Sequence, residues 1–327
     1  MTVAKIQHYV PQFLLRNFGN GKKDQVWVFD KMTGRTFSTN AKNIASENRF
    51  YDFELGGNSV SLEPMLSRLE SSTTPIIKAI LKADSLKVIG AEEKSMLAVF
   101  FSVQFTRTKT FREQWNDFPG ILREHFEARG EQVASGSQAA ELIRDLTENE
   151  SKVESAQFMV EAPQHFAPHF ATKLWLLAAT TRTHPFVLSD NPLTLQNMTD
   201  MSPRGNLGLS VPGIEIYFPL SPVRALAMWC PSLGDVVREG AQSVQCRYRG
   251  READMTNDED GLLLLEEALR TGHPAMYTKD NVENFNSLQV ARSERYIFSS
   301  VNDFSLAEEM VQTHPNLRCG PRAQVVS

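Results

Sequence analysis

The chain has 327 residues, with 34 Lys+Arg against 39 Asp+Glu, a formal net charge of −5, 41% hydrophobic residues and 22% charged ones. So much apolar side chain excludes a disordered polymer, and three cysteines are too few for a disulfide scaffold. The acidic balance excludes a broadly basic nucleic-acid coat, although it leaves room for a local basic groove.

The opening MTVAKIQHYVPQFLLRNF has neither a continuous apolar core nor a small-residue cleavage site, so it does not read as a secretory leader. Pro11 starts a short helix whose apolar side is Phe13, Leu14, Leu15 and Phe18. QVWVFD at 25–30 and the following KMTGRTFS, with Gly34 in the turn, predict a hairpin. FYDF at 50–53 is another extended piece, closed by Gly56, Gly57 and Asn58. A helix follows, with Ser61 as N-cap and Pro64 in its first turn, and Pro75 is expected to kink or restart it. A second helix is expected from about Ala91 to about Arg112. The charged stretch at about 121–160 is helical in pattern, is interrupted at 130–137 and reads as a variable insertion.

From residue 170 the pattern turns to strands, in TKLWLLAAT, HPFVLSD, IEIYFPL and RALAMWC. A helix carrying Leu262, Leu263, Leu264 and Leu265, another over 279–292 and a last strand in RYIFSS complete the chain. Segregated helices and strands predict an α+β fold: a helical N-terminal half with a short hairpin, packed on a mostly antiparallel C-terminal sheet, as a single domain over 1–327. The longest apolar run, LWLLAA, is too short to span a bilayer. Cys230, Cys246 and Cys319 form no CxxC pair and read as reduced structural thiols. A cytoplasmic protein with no membrane partner is the expectation. No GxGxxG, P-loop or GxSxG motif occurs, which removes the main sequence support for Rossmann, P-loop and α/β-hydrolase readings.

Four clusters can carry chemistry. His8 precedes the first helix near its positive end, which favours a neutral imidazole able to act as base or ligand, or simply to pack. Glu63 and Glu70, seven residues apart, project on one side of their helix, at the edge of an apolar arc. They are either a half-buried carboxylate pair for a divalent cation or boundary glutamates with solvated heads. On a wheel through Leu97, Phe100, Phe101, Phe111 and Trp115, Gln104 and Thr108 fall mid-face and Arg107 and Arg112 on the flanks. That is an anion-binding surface or an Arg–Glu network that fixes packing. Asp190 and Asn191, in SDNP after an apolar strand, are a base or ligand with an orienting amide, or an Asx-turn. His165 and His169 have i,i+4 spacing, but Pro163 and Pro168 bracket them and Pro168 is expected to disturb any helix there.

HYVPQFLLRNF followed by VWVFDK, then NRFYDF, SLEPMLSRLE, QFTRT, FVLSDNP, FPLSP and NFNSLQVARSERYIFSS, resembles the bacterial domain-of-unknown-function 4238 family over nearly the whole chain. The resemblance singles out His8, Pro11, Glu63, Glu70, Gln104, Arg107, Arg112, Asp190, Asn191 and Asn286. RTKTFR departs from the family's more usual RTP followed by Arg. The family assigns no reaction.

Two main functions remain open, with a nucleotide-using transferase that sets Arg107 and Arg112 on the phosphates as a smaller third. One is a metal-assisted phosphoesterase or nuclease. There Glu63, Glu70 and Asp190 would hold Mg²⁺ or Mn²⁺, and His8 would serve as base or ligand. Arg107 and Arg112 would grip phosphate, Gln104, Asn191 and Asn286 would orient the substrate, and a nucleic acid or nucleotide would be the partner. The other is a non-enzymatic binding or regulatory protein, for example a component of a defence or toxin-type system, whose polar set is structural.

Overall fold

The computed structural model describes residues 5–199, 207–249 and 255–322, and of Lys22 only the backbone. In the N-terminal part β1 (Ile6–His8) leads through Pro11 into α1 (Gln12–Asn17). The hairpin of β2 (Gln25–Asp30) and β3 (Arg35–Asn40) turns at Gly34, whose φ of 68° suits glycine. β4 (Ser46–Asn48) pairs back antiparallel with β1. β5 (Asp52–Leu55) and β6 (Asn58–Ser61) form a second hairpin across Gly56 and Gly57.

The helices come next: α2 (Glu63–Ala83), α3 (Ala91–Thr106), α4 (Lys109–Ala128), α5 (Gln138–Leu142) and α6 (Glu148–Ala171). Then follow β7 (Leu174–Ala179), β8 (Leu188–Ser189), β9 (Thr194–Gln196), β10 (Glu215–Ser221) and β11 (Arg224–Trp229). The chain ends in α7 (Pro231–Tyr248), α8 (Asn257–Thr271), β12 (Ala275–Met276), α9 (Lys279–Arg292), β13 (Tyr296–Ser299) and α10 (Ser305–Thr313).

The larger sheet has the order β12-β7-β11-β10-β9, antiparallel except for β12 against β7. Its strands read as unbroken apolar runs because both faces are buried. Ile216, Phe218 and Leu220 point into one core with α2 and α3, while Tyr217 points into another. The same alternation places Leu177 and Met228 inward and Ala178 and Ala227 on the side covered by α7, α8 and α9. The second sheet, β3-β2-β13-β8, is antiparallel and joins the N-terminal hairpin to C-terminal strands. The α+β class therefore holds, with the hairpin built into a sheet shared by both ends of the chain.

Three local expectations are corrected. α2 starts at Glu63, with Ser61 Oγ accepting the Glu63 N–H at 3.3 Å, and it runs through Pro75 without a break. Pro75 and Ser71, the residue whose carbonyl loses its donor, are both exposed, so water can satisfy that carbonyl. Pro163 and Pro168 likewise sit inside α6, which is held along α3 by the ring pairs Phe105–Phe166 and Phe101–Phe170.

The helix expected from Ala91 to Arg112 is two helices. Thr108 takes an extended conformation (ψ 156°), and its hydroxyl accepts the Phe111 N–H at 3.3 Å as N-cap of α4. A wheel drawn through residue 115 therefore spans a corner. The stretch at 121–160 runs from the second half of α4 through α5 into the first half of α6, where Ala156 and Met159 are buried.

α7, unrecognised in the sequence because of Gly234 and Gly240, needs both glycines. A Cβ on Gly234 would lie 2.0 Å from Leu174 Cδ1, and one on Gly240 would lie 2.9 Å from Leu262 Cδ2. Among the described residues no helix is long and apolar enough to cross a membrane.

Two substitutions test these local accounts by urea denaturation. Thr108→Ala should lower stability by about 1 kcal/mol through loss of the cap. Pro75→Ala should raise it, by about 1–3 kcal/mol, because the i→i−4 bond to Ser71 is restored.

Candidate functional site

The corner between α3 and α4 turns the Arg107 side chain into the interior, where it is 2% exposed. Nη1 donates to Glu70 Oε1 at 2.8 Å, Nη2 to the His8 carbonyl at 2.6 Å and Nε to the Tyr51 hydroxyl at 3.2 Å. One guanidinium thus ties α2, the end of β1 and the residue ahead of β5 to the helix corner. Tyr51 is held in turn by Gln7, whose Oε1 accepts the Tyr51 N–H at 2.6 Å. Gln104 donates to the Tyr9 carbonyl at 3.1 Å, while its Oε1 is buried without a partner.

His8 is itself nearly buried. Its Nε2 lies 3.2 Å from the Lys42 carbonyl and its Nδ1 3.3 Å from Gln12 Nε2. These partners assign the proton to Nε2 and leave Nδ1 as acceptor. Burial lowers the His8 pKa against the pull of the Lys42 carbonyl, and the positive charges of Arg107 and Arg16 lower it further. Glu63 sits beside this network. Burial raises its carboxyl above the usual range, Arg107 draws it down, and Glu70 and Asp52 push it up.

Arg112 is separate from the Arg107 fork. Its Nη2 donates to the Phe50 carbonyl at 2.8 Å, its guanidinium lies 3.6 Å from the Phe50 ring centroid, and its Nε is buried without a partner. It lines a cavity of about 460 Å³ together with Glu47, Glu113, Asp145, Glu148 and Lys152, so carboxylates outnumber cations there.

Asp190 belongs to a second network, around the C-terminal end of α9. Its Oδ1 accepts the Glu294 N–H at 2.7 Å, and its Oδ2 accepts those of Arg295 and Tyr296 at 2.8 Å each. Burial pushes the carboxyl up to about 6, against the three N–H donors and the Lys31 ammonium. Asn191 donates to the Arg292 carbonyl at 2.9 Å. Asn286 bridges the chain before β8, accepting from the Val187 N–H at 2.9 Å and donating to the Pro185 carbonyl at 3.0 Å.

Two residues that sequence reasoning passed over complete this network. The buried Lys31 donates to the Val290 and Ser293 carbonyls at 2.8 Å each, and burial lowers its pKa to about 8. Gln289 accepts from the Ser189 N–H and hydroxyl and donates to the Pro192 carbonyl. The available signals were a lysine closing an apolar strand in VFDK and a glutamine three residues after Asn286 on one helix.

Residues 6–303 match the family described as "Protein of unknown function (DUF4238)". The chain belongs to that family. No curated protein and no solved structure matched it. The family match spans both networks, and they differ in what they leave available. Glu70 is committed to Arg107, and both oxygens of Asp190 are committed to backbone N–H groups. Of the carboxylates expected to hold a metal, Asp190 thus spends both oxygens on backbone N–H groups, Glu70 keeps Oε2 outside its pair with Arg107, and Glu63 lies beside the Arg107 network. Among the described residues no group of three or more His, Cys, Asp or Glu comes together as a metal site.

Two measurements check these assignments. Asp190→Ala strands three backbone donors and should cost about 3 kcal/mol or more in urea denaturation. For His8 the folded pKa lies below the unfolded value, so the unfolded chain takes up the proton first. Its contribution to stability is present above the usual imidazole pKa of about 6.5 and is lost as pH falls below it. The difference in stability between wild type and His8→Gln should accordingly shrink between pH 7.5 and pH 5, roughly the span of that titration.

Proposed function

We propose that this chain is a non-enzymatic binding protein in which the His8, Glu70, Arg107 and Asp190 networks hold the fold. The supporting observation is the state of Arg107. Its Nε, Nη1 and Nη2 all have partners inside the protein, and the side chain is shielded from solvent. A phosphate-gripping arginine needs a free fork facing a cavity. Asp190 argues the same way, because a general base or metal ligand has to meet its substrate or ion, and this carboxylate is 1% exposed and already accepts three backbone N–H groups. Glu63 and the second oxygen of Glu70 are the uncommitted carboxylate oxygens of the set, fewer ligands than the three carboxylates expected for a divalent cation.

The phosphoesterase reading requires these groups to release their partners. Leaving a buried ion pair with one partner missing costs about 3–5 kcal/mol, so a substrate would have to replace each partner as it is released.

The test is thermal unfolding of wild type, Glu63→Gln and Glu70→Ala with and without Mn²⁺, together with hydrolysis of bis-p-nitrophenyl phosphate. The expected result is no Mn²⁺-dependent rise in Tm, no hydrolysis, a small effect of Glu63→Gln and a loss of about 3 kcal/mol in Glu70→Ala. A Tm rise with Mn²⁺ that Glu63→Gln abolishes would overturn the reading, since a ligand stabilises only the state that binds it.

A further inference from the structure

A cavity of about 760 Å³ lies away from both networks, between the start of α3, the start of β7, the first half of α7 and the end of α8. Its size falls within the roughly 300–1,000 Å³ usual for small-molecule sites. Its charged lining is Lys87, Lys94, Lys173, Arg238 and Arg270 against the single carboxylate Glu266. In a chain of net charge −5, that concentration of cations is a local reversal of sign.

The cations are unequal. Lys173 turns its ammonium to the Leu209 carbonyl at 2.7 Å. Arg238 and Arg270 are exposed and make i,i+3 pairs with Asp235 and Glu267, weak contacts that leave their remaining N–H groups free to act. Lys94 is half-buried. It donates to the Lys173 carbonyl at 3.1 Å and lies 5.1 Å from the Trp175 ring centroid, but no described carboxylate pairs with it. Burial lowers its pKa, as expected of an ammonium that lacks a counter-charge. Lys87 is exposed at the rim, also without a carboxylate partner. Between these cations the wall is apolar, formed by Leu86, Ile89, Trp175 and Val237.

We infer that this cavity binds a small organic phosphate, with the phosphate held by Lys94, Lys87 and the two arginines and the apolar body against the Trp175 side. Ammonium groups on flexible stems serve phosphate as point charges, and an anion here would supply the counter-charge that Lys94 lacks. The inference rests on the reading of the chain as a binding protein and names the class of ligand.

Isothermal titration at low salt, with phenyl phosphate and with inorganic phosphate as probes, tests it. Phenyl phosphate should bind one to one and at least several-fold tighter than inorganic phosphate. Lys94→Gln and the rim variant Lys87→Glu should each weaken it about tenfold, the scale of one charge-assisted contact. Lys87 is exposed, so its variant keeps the test alive if Lys94→Gln fails to fold. Absence of binding by either probe at 10 mM, roughly the weak limit for a specific site, overturns the proposal, and so does binding that neither variant weakens. Equal affinity for the two probes overturns the organic part and assigns the cavity to free phosphate. Release of phenol by the wild type and not by Lys94→Gln would sink the binding reading while leaving the site in place.

Discussion

A positive charge buried at the corner between two helices is the constraint on which the N-terminal half depends. A guanidinium that is 2% exposed is tolerable only with its donors satisfied, and Arg107 recruits three separate segments to do so. The corner and the charge are coupled. α3 ends at Thr106 with Arg107 as its C-cap, and Thr108 goes extended to open α4, so the cation enters the interior where the chain turns. Glu70 comes from the middle of α2, so the ion pair also sets how α2 lies along α3. The cation–π contact of Arg107 with Tyr51, 5.7 Å from the ring centroid, adds a further attraction on the same side.

Asp190 solves the converse problem at the other end of the chain. Between α9 and β13 the backbone turns with buried N–H groups that no helix or strand can pair. One carboxylate answers three of them, while Lys31 answers the terminal carbonyls of α9. The anion and the cation lie close enough to act on each other, and Asp30 with Arg295 adds a salt bridge of 2.6 Å alongside. Strand β2, the SDNP turn and the α9–β13 junction are thus bound together by side chains reaching backbone.

Much of this fold was legible because burial on two faces writes itself as continuous apolar strands, and the three central strands of the five-stranded sheet, β7, β11 and β10, were found that way, whereas the short edge strands β9 and β12 were not. The Arg–Glu network was also legible as one of two alternatives, since seven residues between Glu63 and Glu70 place one of them within reach of an arginine. What was not legible depended on contacts distant in sequence. Nothing local tells that Asp190 caps residues 294–296 rather than its own turn. α7 was hidden because its glycines lower helix propensity, and their reason lies on β7 and α8, in Leu174 and Leu262. The corner at Thr108 was visible in principle, as a threonine three residues before Phe111, but a run of apolar residues at helical spacing outweighed it.

Polar residue types at motif positions do not by themselves separate structure from function; spare bonding capacity does. Arg107 and Asp190 are the residues that draw the eye in the sequence, and in both every nitrogen or oxygen of the charged group is already partnered from within. Lys94 belongs to no motif, yet it holds an ammonium half out of water with a carbonyl and an aromatic ring for company and no carboxylate paired with it. A saturated group changes stability when it is removed, whereas an unsaturated one has something to gain from a ligand. By that physical criterion the chemistry of this protein is to be sought at the basic cavity beside Trp175, with the motif residues as the frame that holds the surrounding elements in register.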